Sequence, residues 1–272
     1  MLPSGPTLRH ALVIGLDGVR FDLLDQDTTP SIWAFGQAGF LAPVTIDEAT
    51  PTWSAPCWAT IVTGTGVAGH GITTNDLTGH RLADHPDFVT LATRAGLPTL
   101  LAVSGWPPLA LAENGGPLFA EAARREFVAV AEKSLAGWDA ADEAVTGLAT
   151  SILAEDGPRM SFVYLGAVDA VGHVLGAGEA YREAAWAADQ RVGRLTAAIR
   201  SRRSVADEDW TIVVVTDHGH LDRGGHGGRE PEVATAWAAA AGPGIQPAGP
   251  PVTRQTQIAP LALAALGDIT GS

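Results

Sequence analysis

Three apolar runs break off in the same way, at an aspartate. Residues 11–16 precede Asp17-Gly18, residues 161–168 precede Asp169, and residues 211–216 precede Asp217-His218-Gly219. Aliphatic and β-branched runs without polar alternation predict strands buried on both faces. Residues 41–46, 98–103 and, despite their alanines, 234–240 read as further strands. Amphipathic spacing and end signals predict helices over 30–38, 86–96, 139–154, 179–203 and 257–266, with a weaker helical pattern from Phe119. Another helix runs from about Ser54 to Gly64, and the Pro- and Gly-rich segment 105–116 reads as loop. Strands alternating with helices predict an α/β fold: a doubly wound, mostly parallel sheet with helices on both faces. One domain over residues 1–272 is the expectation, since 46% hydrophobic content is ample for one core.

Composition narrows the partners. The formal charge is −13 and Lys133 is the sole lysine, which argues against a nucleic-acid polymer, whose backbone demands a basic surface. No apolar run reaches the length that spans a bilayer and no leader precedes the first strand, so no membrane association and a cytoplasmic enzyme are expected. Cys57 is the single cysteine, so an internal disulfide and a cysteine-based zinc site are excluded.

The chemistry lies where the strands end. In open α/β sheets the carboxyl ends of the strands form the binding crevice, so Asp17, Asp169 and Asp217 are predicted to converge there. His173, His218 and His226 follow close behind. Carboxylate oxygen and imidazole nitrogen suit zinc, with manganese second, and six such donors are too many for one tetrahedral site. Two metal ions fit the count. Ser54, two residues ahead of Pro56, sits near a predicted helix N-terminus whose free N–H groups favour an anion. It supplies a hydroxyl nucleophile of the kind a two-metal site activates. The bland readings are an N-cap for Ser54, a turn for Asp17, and a surface pair for Asp169 with His173; the joint set outweighs them. His70 and His220 are expected to support the site or its loops rather than ligate, His80 and His85 to face solvent, and Arg20 to be structural.

Read together, 16–20, 51–64, Gly69-His70-Gly71-Ile72, Asp169 with His173, Asp217-His218-Gly219 and Gly225-His226-Gly227 resemble the alkaline phosphatase superfamily, in its type I phosphodiesterase/nucleotide pyrophosphatase branch. The resemblance extends from about Leu12 to Gly228. It implies that Asp17, Ser54, Asp217 and His218 hold one zinc and Asp169, His173 and His226 the other. It also implies in-line attack by Ser54, a covalent phosphoryl-Ser54 intermediate, and hydrolysis by an activated water. The implied substrate is a small phosphate ester or a nucleotide-like molecule. Phosphomonoesterase, phosphonate or sulfate ester hydrolase, phosphomutase, and a metal-binding protein without turnover are the alternatives. Cys57 stands where nucleotide pyrophosphatases usually carry an asparagine that hydrogen-bonds a phosphate oxygen, which implies one donor weakened or replaced. A short middle region implies a minimal cap, with a pocket either open or closed by a partner subunit.

Overall fold

The computed structural model describes residues 7–245 and 252–268. Among these residues seven strands form one sheet: β1 (Leu8–Leu16), β2 (Phe40–Thr45), β3 (Thr99–Ser104), β4 (Arg124–Val128), β5 (Met160–Leu165), β6 (Glu208–Thr216) and β7 (Thr235–Ala241). Their order is β2-β7-β6-β1-β5-β3-β4. β7 runs antiparallel to both neighbours, and the other pairs are parallel. The expected mostly parallel sheet is therefore present, with β1 at its centre.

Nine α-helices accompany it among the described residues: α1 (Pro30–Ala38), α2 (Ser54–Thr63), α3 (Val67–His70), α4 (Phe88–Arg94), α5 (Leu135–Glu155), α6 (Ala167–Leu175), α7 (Glu179–Arg200), α8 (Pro231–Ala234) and α9 (Ile258–Ala265). Strand side chains alternate between two cores. Ala11, Val13, Phe162 and Val215 meet Trp58 of α2, Phe88 of α4 and Ile258 of α9 on one face. Leu12, Ile14, Val163 and Val214 meet Phe35 of α1, Ile152 of α5, Val168 of α6 and Val192 of α7 on the other. Both faces are covered, which is why these strands carry so few polar residues.

Two expectations need correcting. The weak helical pattern after Phe119 is strand β4, a sheet edge that pairs, among the described residues, only with β3. Half-exposed and sequence-polar (Arg124-Arg-Glu-Phe-Val128), it lacks the apolar signature that marks an inner strand. Arg125 fastens it by donating to the carbonyls of Ala110 at 2.6 Å and Phe119 at 3.0 Å. The second correction is Asp169, which does not end a strand. β5 stops at Leu165, and Asp169 lies in the first turn of α6. Ala167 and Val168 prolong the apolar run because they lie on the buried face of that helix, and a short apolar run does not distinguish the two conformations.

Candidate metal centre and active site

β6, β1 and β5 lie side by side and parallel, so the segments leaving their carboxyl ends share one crevice. Asp17 follows β1, Asp217 and His218 follow β6, and α6 after β5 carries Asp169 and His173 one turn apart on the same face. Ser54 is the first residue of α2, and no side chain caps that helix end. The expected residues thus meet.

Their geometry falls into two groups. His218 Nε2 lies 3.1 Å from Asp217 Oδ2, 3.7 Å from Asp17 Oδ1 and 3.4 Å from Ser54 Oγ. Beside it, Asp169 Oδ2 is 3.6 Å from His173 Nε2, Asp169 Oδ1 is 3.6 Å from His226 Nε2, and the two histidine Nε2 atoms are 3.0 Å apart. Asp169 belongs to both: its ligand atoms lie within 4.8 Å of those of His173, His220 and His226, and within 4.8 Å of those of Asp17 and His218.

The outer hydrogen bonds fix which atoms face inward. Asp17 Oδ2 accepts from Trp58 Nε1 at 2.9 Å and from the Tyr164 hydroxyl at 2.6 Å. Asp217 Oδ1 accepts from the Gly18 amide at 3.0 Å. Their other oxygens, Asp17 Oδ1 and Asp217 Oδ2, are buried without a partner. His226 Nδ1 donates to Thr52 O at 2.7 Å and His218 Nδ1 to Gly219 O at 3.2 Å, so each neutral ring presents the Nε2 lone pair to the centre. The two rings stack, with centroids 3.8 Å apart. Burial keeps both below the ordinary histidine range, with His226 adding to the effect on His218.

Burial, reinforced by the Asp169 charge, raises Asp17 to about 8. Burial and Asp17 raise Asp217 well above the carboxylate range. Against its own burial, Asp169 is held low by a hydrogen bond from His220 and by the neighbouring histidines. Bare carboxylate oxygens, inward lone pairs and like charges in contact form a donor set that fits divalent cations.

Three further residues complete the site. His220, fully buried, donates from Nε2 to Asp169 Oδ1 at 2.8 Å. Gly18 has φ +67°, and a Cβ there would lie 2.9 Å from both Asp169 Oδ1 and His220 Nε2, so only glycine lets the two meet. Asn75 accepts from the Ala55 amide at 2.9 Å through Oδ1 and lines the cavity beside Ser54. The polar amide of the site is therefore Asn75. Cys57 is fully buried with its thiol directed at Pro51 O, 3.4 Å away, so it neither lines the cavity nor stands for a lost donor. His70 is structural: Nδ1 accepts from Ile72 N at 3.0 Å and Nε2 meets Thr60 Oγ1 at 3.1 Å. Arg20 pairs with Asp22 and Asp222, in keeping with a structural role.

A cavity of about 350 Å³ opens over this cluster, walled by Trp53, Ser54, Asn75, Trp106, Trp138 and Tyr164. No described helix is long and apolar enough to cross a membrane.

Solved structures of related architecture share the fold. The human ectonucleotide pyrophosphatase/phosphodiesterase 5 matches over 95% of this chain and 95% of its own, at 13% identity and TM-score 0.70. A putative sulfatase from Bacteroides thetaiotaomicron matches over 95% of this chain and 71% of its own, at 11% identity and TM-score 0.72. Phosphonoacetate hydrolase from Sinorhizobium meliloti, in complex with phosphonoformate, matches over 78% of this chain and 57% of its own, at 19% identity and TM-score 0.56. No functionally curated protein matches the sequence. The sequence itself matches the type I phosphodiesterase/nucleotide pyrophosphatase family over residues 11–225. The chain belongs to that family, within the alkaline phosphatase superfamily, and is a metal-binding hydrolase of phosphate-ester-type bonds.

Proposed function

We propose that the protein is a two-zinc phosphodiesterase in which Ser54 forms a covalent phosphoryl intermediate. The observation that carries this reading is the placement of Ser54 Oγ, at a helix start and 3.4 Å from His218 Nε2, which itself lies 3.1 Å and 3.7 Å from the two bare carboxylate oxygens. Asp17, Ser54, Asp217 and His218 would hold one ion; Asp169, His173 and His226 would hold the other. Bound there, the ions supply positive charge that favours the ionised serine and stabilises the phosphate.

The chain's own groups do the rest. The Ser54 amide at the start of α2 and the side-chain amide of Asn75 lie next to the Ser54 hydroxyl, where phosphate oxygens gather charge in the transition state. Ser54 Oγ bonds to phosphorus while the bond to the leaving oxygen breaks, giving an alcohol and a phosphoserine diester. Water then attacks phosphorus, the Ser54 oxygen leaves, and the phosphate monoester is released. Tyr164 and Trp58 hold Asp17 still throughout, so no reorganisation is needed as charge develops. The substrate is a small molecule, consistent with a surface of net charge −13 that repels polyanions.

Release of nitrophenol from bis(p-nitrophenyl) phosphate tests the reading. Zinc-loaded protein turns over, while chelation or Ser54→Ala lowers the rate by about a thousandfold or more. Equal rates in all three samples would sink it. Rates on phosphomonoester, phosphonate and sulfate esters assign the ester class.

A further inference from the structure

A second and larger cavity, about 720 Å³, shares a wall with the first: Trp138, Asp169 and His173 line both. Its other walls come from the loop after β3, from β4 and the segment into α5, and from the end of α6. Phe127, Val130, Leu135 and Val174 supply apolar surface, and Val174 is 66% exposed although it belongs to a well-packed helix. An apolar surface left open beside a reacting centre is a place for the apolar part of a substrate.

The shared wall is built. Trp138 lies against Gly105 and Gly166, where an added Cβ would come within 2.0 Å and 2.8 Å of the indole. Gly105 also has φ +66°, a conformation that strains other residues. Two glycines therefore clear the seat of one ring, and that ring borders both cavities. Trp53 and Trp106 line the smaller cavity with it. Polar side chains on the larger cavity, apart from the shared Asp169 and His173, are Glu113, Lys133 and Ser134. That is a sparse set for the donors and acceptors of a nucleobase and ribose, which a selective site leaves unpaired only at a cost. Lys133, the only lysine of the chain, is placed to draw an anionic ester toward this side.

We propose that the larger cavity binds an aryl or alkyl group esterified to the phosphate, so that the protein prefers phosphodiesters of apolar alcohols to nucleotides. This deepens the phosphodiesterase reading and rests on it for the word substrate, but the cavity can be read without turnover. Calorimetric titration of the zinc-loaded protein with phenylphosphonate and with methylphosphonate compares ligands that differ only in the apolar group. The expected result is about tenfold or greater preference for the phenyl compound. That ratio falls toward one in Val130→Asp and in Trp138→Ala, each shown by circular dichroism to retain its fold. Equal affinities, absence of binding by either compound, or a ratio that neither substitution changes would overturn the proposal. Failure of the phosphodiesterase reading registers separately, as a retained affinity ratio without release of nitrophenol from any ester. In the turnover arm, p-nitrophenyl phenyl phosphate is expected to exceed p-nitrophenyl thymidine 5′-phosphate in kcat/KM, and the reverse order counts against the proposal.

Discussion

Asp17 and Asp217 differ from the other buried aspartates in one respect. Asp87, Asp142 and Asp189 have both carboxylate oxygens occupied by backbone or hydroxyl donors. Asp17 and Asp217 each keep one oxygen bare. A buried acceptor without a partner costs free energy, so its retention points to a bound cation rather than to folding. Asp169 is held differently, by His220, whose Nδ1 is itself buried without a partner. Removing that support frees Asp169 to rotate. His220→Ala is expected to weaken zinc binding by about tenfold or more, with His220→Gln partly restoring it. Zinc titration and metal content measure this directly; unchanged affinity would make His220 a packing residue. Sequence order brought out Asp17, Ser54, Asp217 and His218, since each follows a strand or opens a helix. Asn75 gave no such signal, because its value comes from the Ala55 amide that orients it across a loop.

At the scale of elements, α6 is the one whose placement decides most. Asp142 of α5 accepts from the Gly166 and Ala167 amides, each at 3.0 Å, and from the Ser104 hydroxyl. It thereby ties the N-terminus of the helix that carries Asp169 and His173 to β3 and α5. Asp142→Ala leaves those amides unpaired, and a stability loss of about 1–3 kcal/mol is expected in urea unfolding, together with weaker zinc binding. Burial raises the Asp142 carboxyl from 3.8 to about 6, although its hydrogen bonds oppose the shift. For a raised carboxyl the sign is fixed: its contribution is full below 3.8 and is lost as pH rises through about 6. Asp142→Asn should therefore show a flatter stability profile across that window than the unsubstituted protein; parallel profiles would contradict it. The misread β4 and the misplaced Asp169 share a cause. Helix and strand are told apart by period, and neither a five-residue polar edge nor a few apolar residues after a strand is long enough to show one.

Over the whole molecule, three carboxylates from three separate segments are brought together in a protein that already carries a charge of −13. Like charges gathered at the end of a sheet oppose the fold until cations join them, so folding and metal binding are coupled. Zinc at about a hundredfold above its dissociation constant is expected to stabilise the protein by about 2.7 kcal/mol, a rise of about 5–10 °C in Tm by scanning calorimetry. Chelated protein should lack the shift, and a Tm indifferent to zinc would argue against the site. What the sequence determined by itself was the buried sheet, its alternation with helices, and the identity of the acids, imidazoles and hydroxyl at the segment ends, because local periodicity and residue chemistry are written residue by residue. Only the tertiary structure decided which oxygens stay bare, that Asp169 serves both groups, that Asn75 rather than position 57 lines the cavity beside Ser54, and that an apolar chamber adjoins it. Those properties arise where segments remote in the chain come into contact, and no window along the sequence contains them.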